Sequence, residues 1–321
     1  MGAVMYKRNR SFSYSIKARL LYRLYRQNWN IGVTQCPVAE VAGLEGDRKQ
    51  RIALDNLVWM NETRGAFFAD PFVMPSEGDT DRVVIFYEHF DWKSRRGRID
   101  RVLFNTKDGT FGQKSKSFES DYHLSYPFIL KHGDRYGFVP EHSQANDLSF
   151  FEIDSEGVVS GKRSILPSMP LVDSTIVFWD GLYWMFATHA GQQDNSHLYI
   201  YHAPDLFGPW VGHEKNPVKV DKSNARPAGQ PIFHRGSLFR PAQDCASHYG
   251  AGILINEVKV LTKADFAEEA VAEIRPQPGS SRDFGLHTIS SSGNITVIDA
   301  GRLQSILHPA LDRFSGHFRQ G

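Results

Sequence analysis

The chain has 321 residues, with 37 Lys and Arg against 36 Asp and Glu, 12% aromatic residues and two cysteines. A charged fraction of 23% with ample Phe, Tyr and Trp excludes a mostly disordered chain, and two cysteines exclude a disulfide-built scaffold. No run of 18 apolar residues offers a membrane-crossing helix, and Met1–Arg10 lacks the apolar core of a secretion signal, so the expected compartment is the cytoplasm.

The net charge of +1 is a cancellation. Lys7, Arg8, Arg10, Lys17, Arg19, Arg23 and Arg26 all precede the first acidic residue, Glu40, and the remaining 30 basic and 36 acidic residues leave −6. Among those cations Phe12, Ile16, Leu20, Leu21, Leu24 and Tyr25 recur at helical spacing, which predicts a short basic amphipathic helix within a leader of residues 1–27. Two roles fit such a helix. It lies peripherally on an anionic membrane through residues 1–26, or it packs on the body with its basic face in water. An acidic body without a recognised module gives no reason to expect nucleic acid as a partner.

Beyond residue 28 the helical period fades, and short runs rich in Val, Ile, Phe, Tyr and Trp alternate with Gly, Asp, Asn and Pro turns. Val83–Tyr87, Tyr136–Val139, Thr175–Trp179, Tyr183–Ala187, His197–His202, Gly252–Ile255 and Ile295–Ile298 read as strands. One helix is predicted over Lys263–Ala272, with Thr262 as its N-cap. The body is therefore all-β, spanning residues 28–305, with a C-terminal tail over 306–321.

A weak repeat runs through that body. Ala69-Asp70-Pro71-Phe72-Val73 leads through a turn to Val83–His89, Ser125–Ile129 leads to Tyr136–His142, and Val172–Ile176 leads to Tyr183–His189. A fourth copy runs from Ala225–Gly229 to Leu238-Phe239-Arg240, and a looser fifth starts at Leu286–Ile289. Anchored on Asp70, Tyr126, Asp173, Arg226 and His287, the steps are 56, 47, 53 and 61 residues. Such a spacing suits one four-stranded blade per copy, which predicts a five-bladed β-propeller.

In a propeller the first strand of each blade lines the central channel, so the anchors converge there. Glu88, Glu141 and Thr188 end the second strand of three copies, each followed by a His, and belong beside the same opening. A ring of Asp70, Glu88, Glu141, Asp173, Arg226, Arg240 and His287 supplies carboxylates for acid, base or nucleophile and cations to orient hydroxyls, which is the equipment of glycosidic chemistry. Each residue also has a bland reading. Asp70 caps a turn, Asp173 bonds strand amides, the Glu-His pairs form buried polar networks, and Arg226 and Arg240 only neutralise the acids. The histidines His89, His142, His189 and His287 lie scattered over separate repeats without a close pair, so no metal or cofactor is expected.

The Ala69–Val73 and Asp173–Phe186 stretches resemble first- and third-blade motifs of glycoside hydrolase families 43 and 32. A more extensive resemblance links Trp29–Val33, Phe68–Phe72, Tyr87-Glu88-His89, His123–Phe128, Pro140-Glu141, Gly208-Pro209-Trp210, Ala225–Gly229, Arg240 with Gln243-Asp244-Cys245, Tyr249-Gly250 and Gly285-Leu286-His287 to the N-terminal propeller of plant glucosamine inositolphosphorylceramide transferases and stand-alone bacterial relatives.

The hydrolase resemblance implies that Asp70 is a general base and Asp173 a carboxylate that tunes the acid. Where family 43 carries its acidic Glu, at the start of a later blade, this chain has Arg226, so Glu141 or Glu88 must replace it for hydrolysis. Arg226 and Arg240 are suited to a phosphate or carboxylate on the ligand. His89, His142, Asp244 and His287 are expected to contact the sugar. The resemblance implies an enzyme acting on glycosidic bonds in cell-surface glycan or glycolipid metabolism, or a non-catalytic sugar-binding propeller that assists a separate glycosyltransferase.

Overall fold

The computed structural model of the chain describes residues 25–46, 49–52, 56–76, 78–191 and 193–305. Two compact units divide it: Met1–Asn28 with Leu303–Gly321, and Trp29–Arg302. The amphipathic helix expected before residue 25 and the tail over 306–321 lie outside the described residues. In the smaller unit, Arg26 donates through Nε and Nη2 to Gln304 Oε1 at 3.2 and 3.0 Å, and Asn28 Nδ2 donates to the same oxygen at 3.3 Å.

The larger unit is the five-bladed propeller. Blade one holds Ala66–Ser76, Asp79–Asp91 and Arg96–Asn105, with the short Thr110–Phe111 and Ser115–Phe118 on its outer edge. Blade two is Ser125–His132, Arg135–Glu141, Asp147–Ile153 and Val159–Pro167. Blade three is Leu171–Trp179, Leu182–His189 and His197–Ala203, edged by Val211–Gly212 and Lys219–Val220. Blade four runs Ile232–His234, Ser237–Asp244, Gly252–Leu261 and Phe266–Pro276, and Lys49–Ile52 joins it in parallel as a fifth strand. Blade five closes the ring by drawing on both ends of the sequence, in the order Ile289–Ser292, Ile295–Ser305, Tyr25–Thr34, Val58–Trp59. The strand Tyr25–Thr34 thus begins three residues inside the expected leader.

The second strands of blades one to three carry continuous apolar runs because both of their faces are covered. In blade one, Val83, Ile85 and Tyr87 pack with Ile31, Val33 and Val297 of blade five, whereas Phe86 on the opposite face packs with Phe138 and Phe151 of blade two. The pattern repeats around the ring, so the core is five clusters, one between each pair of neighbouring blades.

First strands meet at the centre. Ser290 of blade five accepts a bond from Val73 N of blade one at 3.2 Å, and Tyr126 of blade two reaches Thr175 of blade three at 2.7 Å. Gly229 comes so close to blade five that a Cβ there would stand 1.9 Å from Ile289 O, and its φ of +115° suits only glycine.

The helix expected over Lys263–Ala272 is instead the strand Phe266–Pro276. Thr262 does act as a cap, accepting from Asp265 N at 2.8 Å, but it caps the tight turn of a hairpin with Gly252–Leu261. The Glu- and Ala-rich composition favours a helix in isolation. Pairing to a full strand, and the burial of Glu268 against Arg240 and Lys219, override that preference.

Candidate active site

Three of the five anchors share a rare backbone. Asp70, Tyr126 and Asp173 have φ of 52°, 44° and 50°, in the left-handed region that non-glycine residues seldom enter. Each sits where the pairing between first and second strand skips residues, between Ala69 and Phe72, opposite Val139–Glu141, and between Val172 and Thr175. Such a bulge re-aims a side chain that regular pleating would point between blades. Strain of roughly 1–3 kcal/mol per residue, held by the surrounding sheets, is characteristic of functional positions.

Asp70 is buried and held on three sides. Its Oδ1 accepts from Thr288 Oγ1 at 2.7 Å and faces His287 Nε2 at 3.7 Å, and its Oδ2 accepts from Tyr126 N at 3.3 Å. Burial pushes its carboxyl up to about 6, with His287 working against that rise and Asp173 and Asp299 adding to it. Burial alone pulls His287 down, but Asp299 and Asp70 outweigh it and hold the imidazole above its ordinary range.

Asp173 forms the second centre. Its Oδ2 accepts from Arg226 Nε at 2.6 Å and from Gln243 Nε2 at 3.0 Å. Arg226 is buried, donates through Nη1 to Asn195 Oδ1 at 3.1 Å, and lies 5.2 Å over the Tyr249 ring.

Glu88 and Glu141 complete the group. The Glu88 carboxyl is raised well above the usual range by burial and by the charges of Asp70 and Glu141. Glu141 is only half-buried and accepts from Ser125 and Ser143 at 3.3 Å each. Burial and the charge of Asp173 push it up to about 8, against the pull of Arg226. The charges of Asp70 and Asp173 act on both Glu88 and Glu141, and that of Asp173 acts on Asp70, so the four carboxyls belong to one electrostatic site.

One short segment organises that site. Within His123–Tyr126, His123 Nε2 stands 3.5 Å from Glu88 Oε1, Ser125 donates to Glu141, and Tyr126 N donates to Asp70. Gly97 N donates to His123 Nδ1 at 2.9 Å, and burial lowers that imidazole to about 4. The ring is therefore neutral at pH 7 with its proton on Nε2, aimed at Glu88. Beneath the carboxyls the Tyr126 hydroxyl, bonded to Thr175 Oγ1 and to Gly229 N at 2.7 Å each, spans the channel.

Six of the ten candidate residues, Asp70, Glu88, Glu141, Asp173, Arg226 and His287, are thus brought together, and four are not. Arg240 is fully buried in blade four, where it donates to Glu268 at 2.8 and 2.6 Å and to the carbonyls of Ala225 and Asn224. Asp244 pairs with Arg275 at 2.5 Å. His89 bonds Asp100 at 2.6 Å, and His142 turns into the blade one–two core, with Nδ1 near Pro140 O and its ring against Phe151.

Asp299, Gln243, Asn195 and Thr288 complete the site without having been candidates. Gln243 lies towards the far end of the second strand of blade four, as Glu88 and Glu141 do in blades one and two, and Asp299 directly follows Ile298, the last residue of its strand to pair with the first strand of blade five, so carrying the repeat through its looser copies would have exposed them. Asp70, His287 and Asp299 bring potential metal-ligand atoms within 4.8 Å of one another. Asp299, however, already spends its oxygens on the N–H groups of Asp70, His287 and Thr288 and on the His287 ring, so protein donors fill the cluster.

Five such blades around a carboxylate-lined centre make a five-bladed β-propeller, a fold also found among glycoside hydrolases. The fold is similar to that of an exo-beta-1,3-galactanase from Clostridium thermocellum, with a TM-score of 0.52 and 12% identity over 66% of this chain and 53% of that one. A family 117 glycoside hydrolase from the marine bacterium Zobellia galactanivorans gives 0.50 and 12%, over 75% and 87%.

The chain belongs to the family described as "Glucosamine inositolphosphorylceramide transferase 1, N-terminal", which matches residues 56–283. It is 30% identical over 253 residues to glucosamine inositolphosphorylceramide transferase 1 of Oryza sativa subsp. japonica, covering 74% of this chain and 34% of that protein. The Arabidopsis thaliana protein of the same name also gives 30%, covering 74% and 33%. The chain therefore spans about a third of the length of these relatives.

Proposed function

We propose that the propeller acts on a glycosidic bond, with Glu141 as proton donor and Asp70 as proton acceptor. The observation that carries this reading is the separation of the two neighbouring carboxyls, Asp70 held near 6 and Glu141 near 8. At pH 7 the first is mostly ionised and the second mostly protonated, which is the division of labour an acid–base pair needs. Glu141 protonates the departing glycosidic oxygen while Asp70 takes the proton of the attacking water or acceptor hydroxyl. Asp173, paired with Arg226, and Glu88, whose carboxyl is raised by burial, shape the field around them. Turnover by the purified chain against nucleotide sugars and furanosides tests the reading, and it should show a bell-shaped pH dependence with limbs near 6 and 8.

A second reading is supported by Arg226. By its resemblance to family 43 it stands where that family carries its acid, and it is bound to Asp173. On this reading the propeller binds a glycan for a separate glycosyltransferase, and wild type and Asp70→Asn bind sugar alike with no turnover in either.

A phosphate or carboxylate on the ligand is left to Arg226, since Arg240 is committed to Glu268. The basic residues ahead of Tyr25 support a peripheral, cytoplasmic location at an anionic membrane, where a glycolipid substrate would be presented.

A further inference from the structure

We propose that Asp299 is a positioning residue of this site, one that clamps His287 against Asp70 and fixes the backbone on which Asp70 stands. Asp299 is completely buried at the inner end of blade five. Its Oδ2 accepts from Asp70 N at 2.9 Å, and its Oδ1 accepts from the N–H groups of His287 and Thr288 at 3.0 Å each. The same Oδ2 lies 2.6 Å from His287 Nδ1, a close ion-pair contact that favours the protonated ring.

With Nδ1 so engaged, Nε2 is turned to Asp70 Oδ1, and the ring has no freedom to leave. Trp29 stacks on it at 4.2 Å and 12°, and Tyr249 meets it edge-on at 5.3 Å. Thr288, next in sequence, bonds the same Asp70 oxygen through its hydroxyl. One carboxylate therefore sets the left-handed Asp70 backbone, the orientation of the imidazole and the placement of the threonine.

The charges require the same arrangement. An ionised carboxylate without solvent needs a compensating cation, and His287 is the one in contact with Asp299. The titratable groups around His287 are Asp299, Asp70, Asp173 and Tyr249. Without the charge of Asp299 the imidazole gives up its proton, Asp70 loses its nearest cation, and a buried Asp70 then takes up a proton and ceases to accept one.

The functional consequence rests on Asp70 being the base, whereas the clamp does not, and the experiment separates them. Ring-nitrogen NMR of the 15N-labelled full chain should show the signal of a protonated His287 ring at pH 6. In Asp299→Asn that signal should vanish and the His287 titration should fall by about one pH unit or more. Asparagine that turns its amide N–H2 towards the Asp70 N–H opposes folding of this variant, and a second variant avoids that cost. His287→Gln keeps the three backbone bonds of Asp299 and should move the Asp70 carboxyl titration, read at its 13C carboxyl, upward by about one pH unit. The acid limb of the turnover profile should rise with it. Unchanged His287 titration in Asp299→Asn, or unchanged Asp70 titration in His287→Gln, overturns the clamp. Shifted titrations with an unmoved turnover profile leave the clamp standing and remove Asp70 as the base.

Discussion

Arg226 Nε lies 2.6 Å from Asp173 Oδ2, and both side chains are buried. The pair joins the starts of blades three and four, and Gln243 binds the same carboxylate oxygen at 3.0 Å. Removing the cation leaves Asp173 as a buried, uncompensated charge, which costs about 3–5 kcal/mol. Arg226→Met should therefore lower the denaturant midpoint strongly and weaken sugar binding. Arg240→Lys should lower stability and leave sugar affinity unchanged. Equal affinity in wild type and Arg226→Met would show that the Arg226 guanidinium has no part in the ligand site.

Glu141, Asp70 and His287 all hold their protons more tightly in the fold than in the unfolded chain. For Glu141 the span runs from 4.5 to about 8 and for Asp70 from 3.8 to about 6, so the stability linked to them is complete at low pH and is lost as pH rises through those spans. The His287 contribution has the same sign and is lost above its ordinary range. His123, His142, His189 and His202, held below their ordinary range, contribute with the opposite sign up to about pH 7, so unfolding free energy should fall between pH 7 and pH 8.5. At about 1.4 kcal/mol per pH unit, Glu141→Gln should recover on the order of a few kcal/mol at the alkaline end. A wild-type stability that does not change with pH would contradict the placement of these groups.

Gly97 is the point where blade one touches the segment that organises the acids. A Cβ there would stand 2.4 Å from Leu124 O, 2.6 Å from Glu88 Oε1 and 2.9 Å from His123 Cε1. The nearest of these is backbone, which cannot swing aside, so His123–Tyr126 must shift as a unit. Gly97→Ala should cost about 1–3 kcal/mol of stability and reduce turnover by more than that loss explains. Gly46→Ala, with nothing within 4 Å, should stay within about 0.5 kcal/mol of wild type on both measures.

The ring itself was legible because the second strands of blades one to three carry apolar runs on both faces and a polar anchor lies in or just before each first strand, so five copies could be counted. The anchors Asp70 and Asp173 were legible for the same reason. Asp299 was not, since the fifth copy is loose in sequence and its first and second strands are recognisable as a blade only through pairs such as Ile289 with Ile298. Arg240 misled in the opposite direction. It follows an apolar run like the Glu of other copies, but its partner, Glu268, lies on a strand whose composition reads as helix.

Residues before Tyr25 carry six cations and no acid. The strand Tyr25–Thr34 belongs to blade five, so a truncation that spares it must end at residue 24. Vesicles containing phosphatidylserine should sediment the full chain at low salt and release it as salt is raised, with each cation near the surface worth about 1 kcal/mol. The truncated chain should stay in solution. Equal sedimentation of both would remove the leader as the membrane contact.

Turnover by wild type, Asp70→Asn and Glu141→Gln, measured side by side with sugar binding on a panel of nucleotide sugars and furanosides, tests the central claim most directly. Wild type should release or transfer sugar fastest between pH 6 and pH 8, and each variant should lose about 10²–10⁴-fold in rate while still binding. A wild type that binds sugar without turning it over, or an Asp70→Asn variant as fast as wild type, would contradict the account.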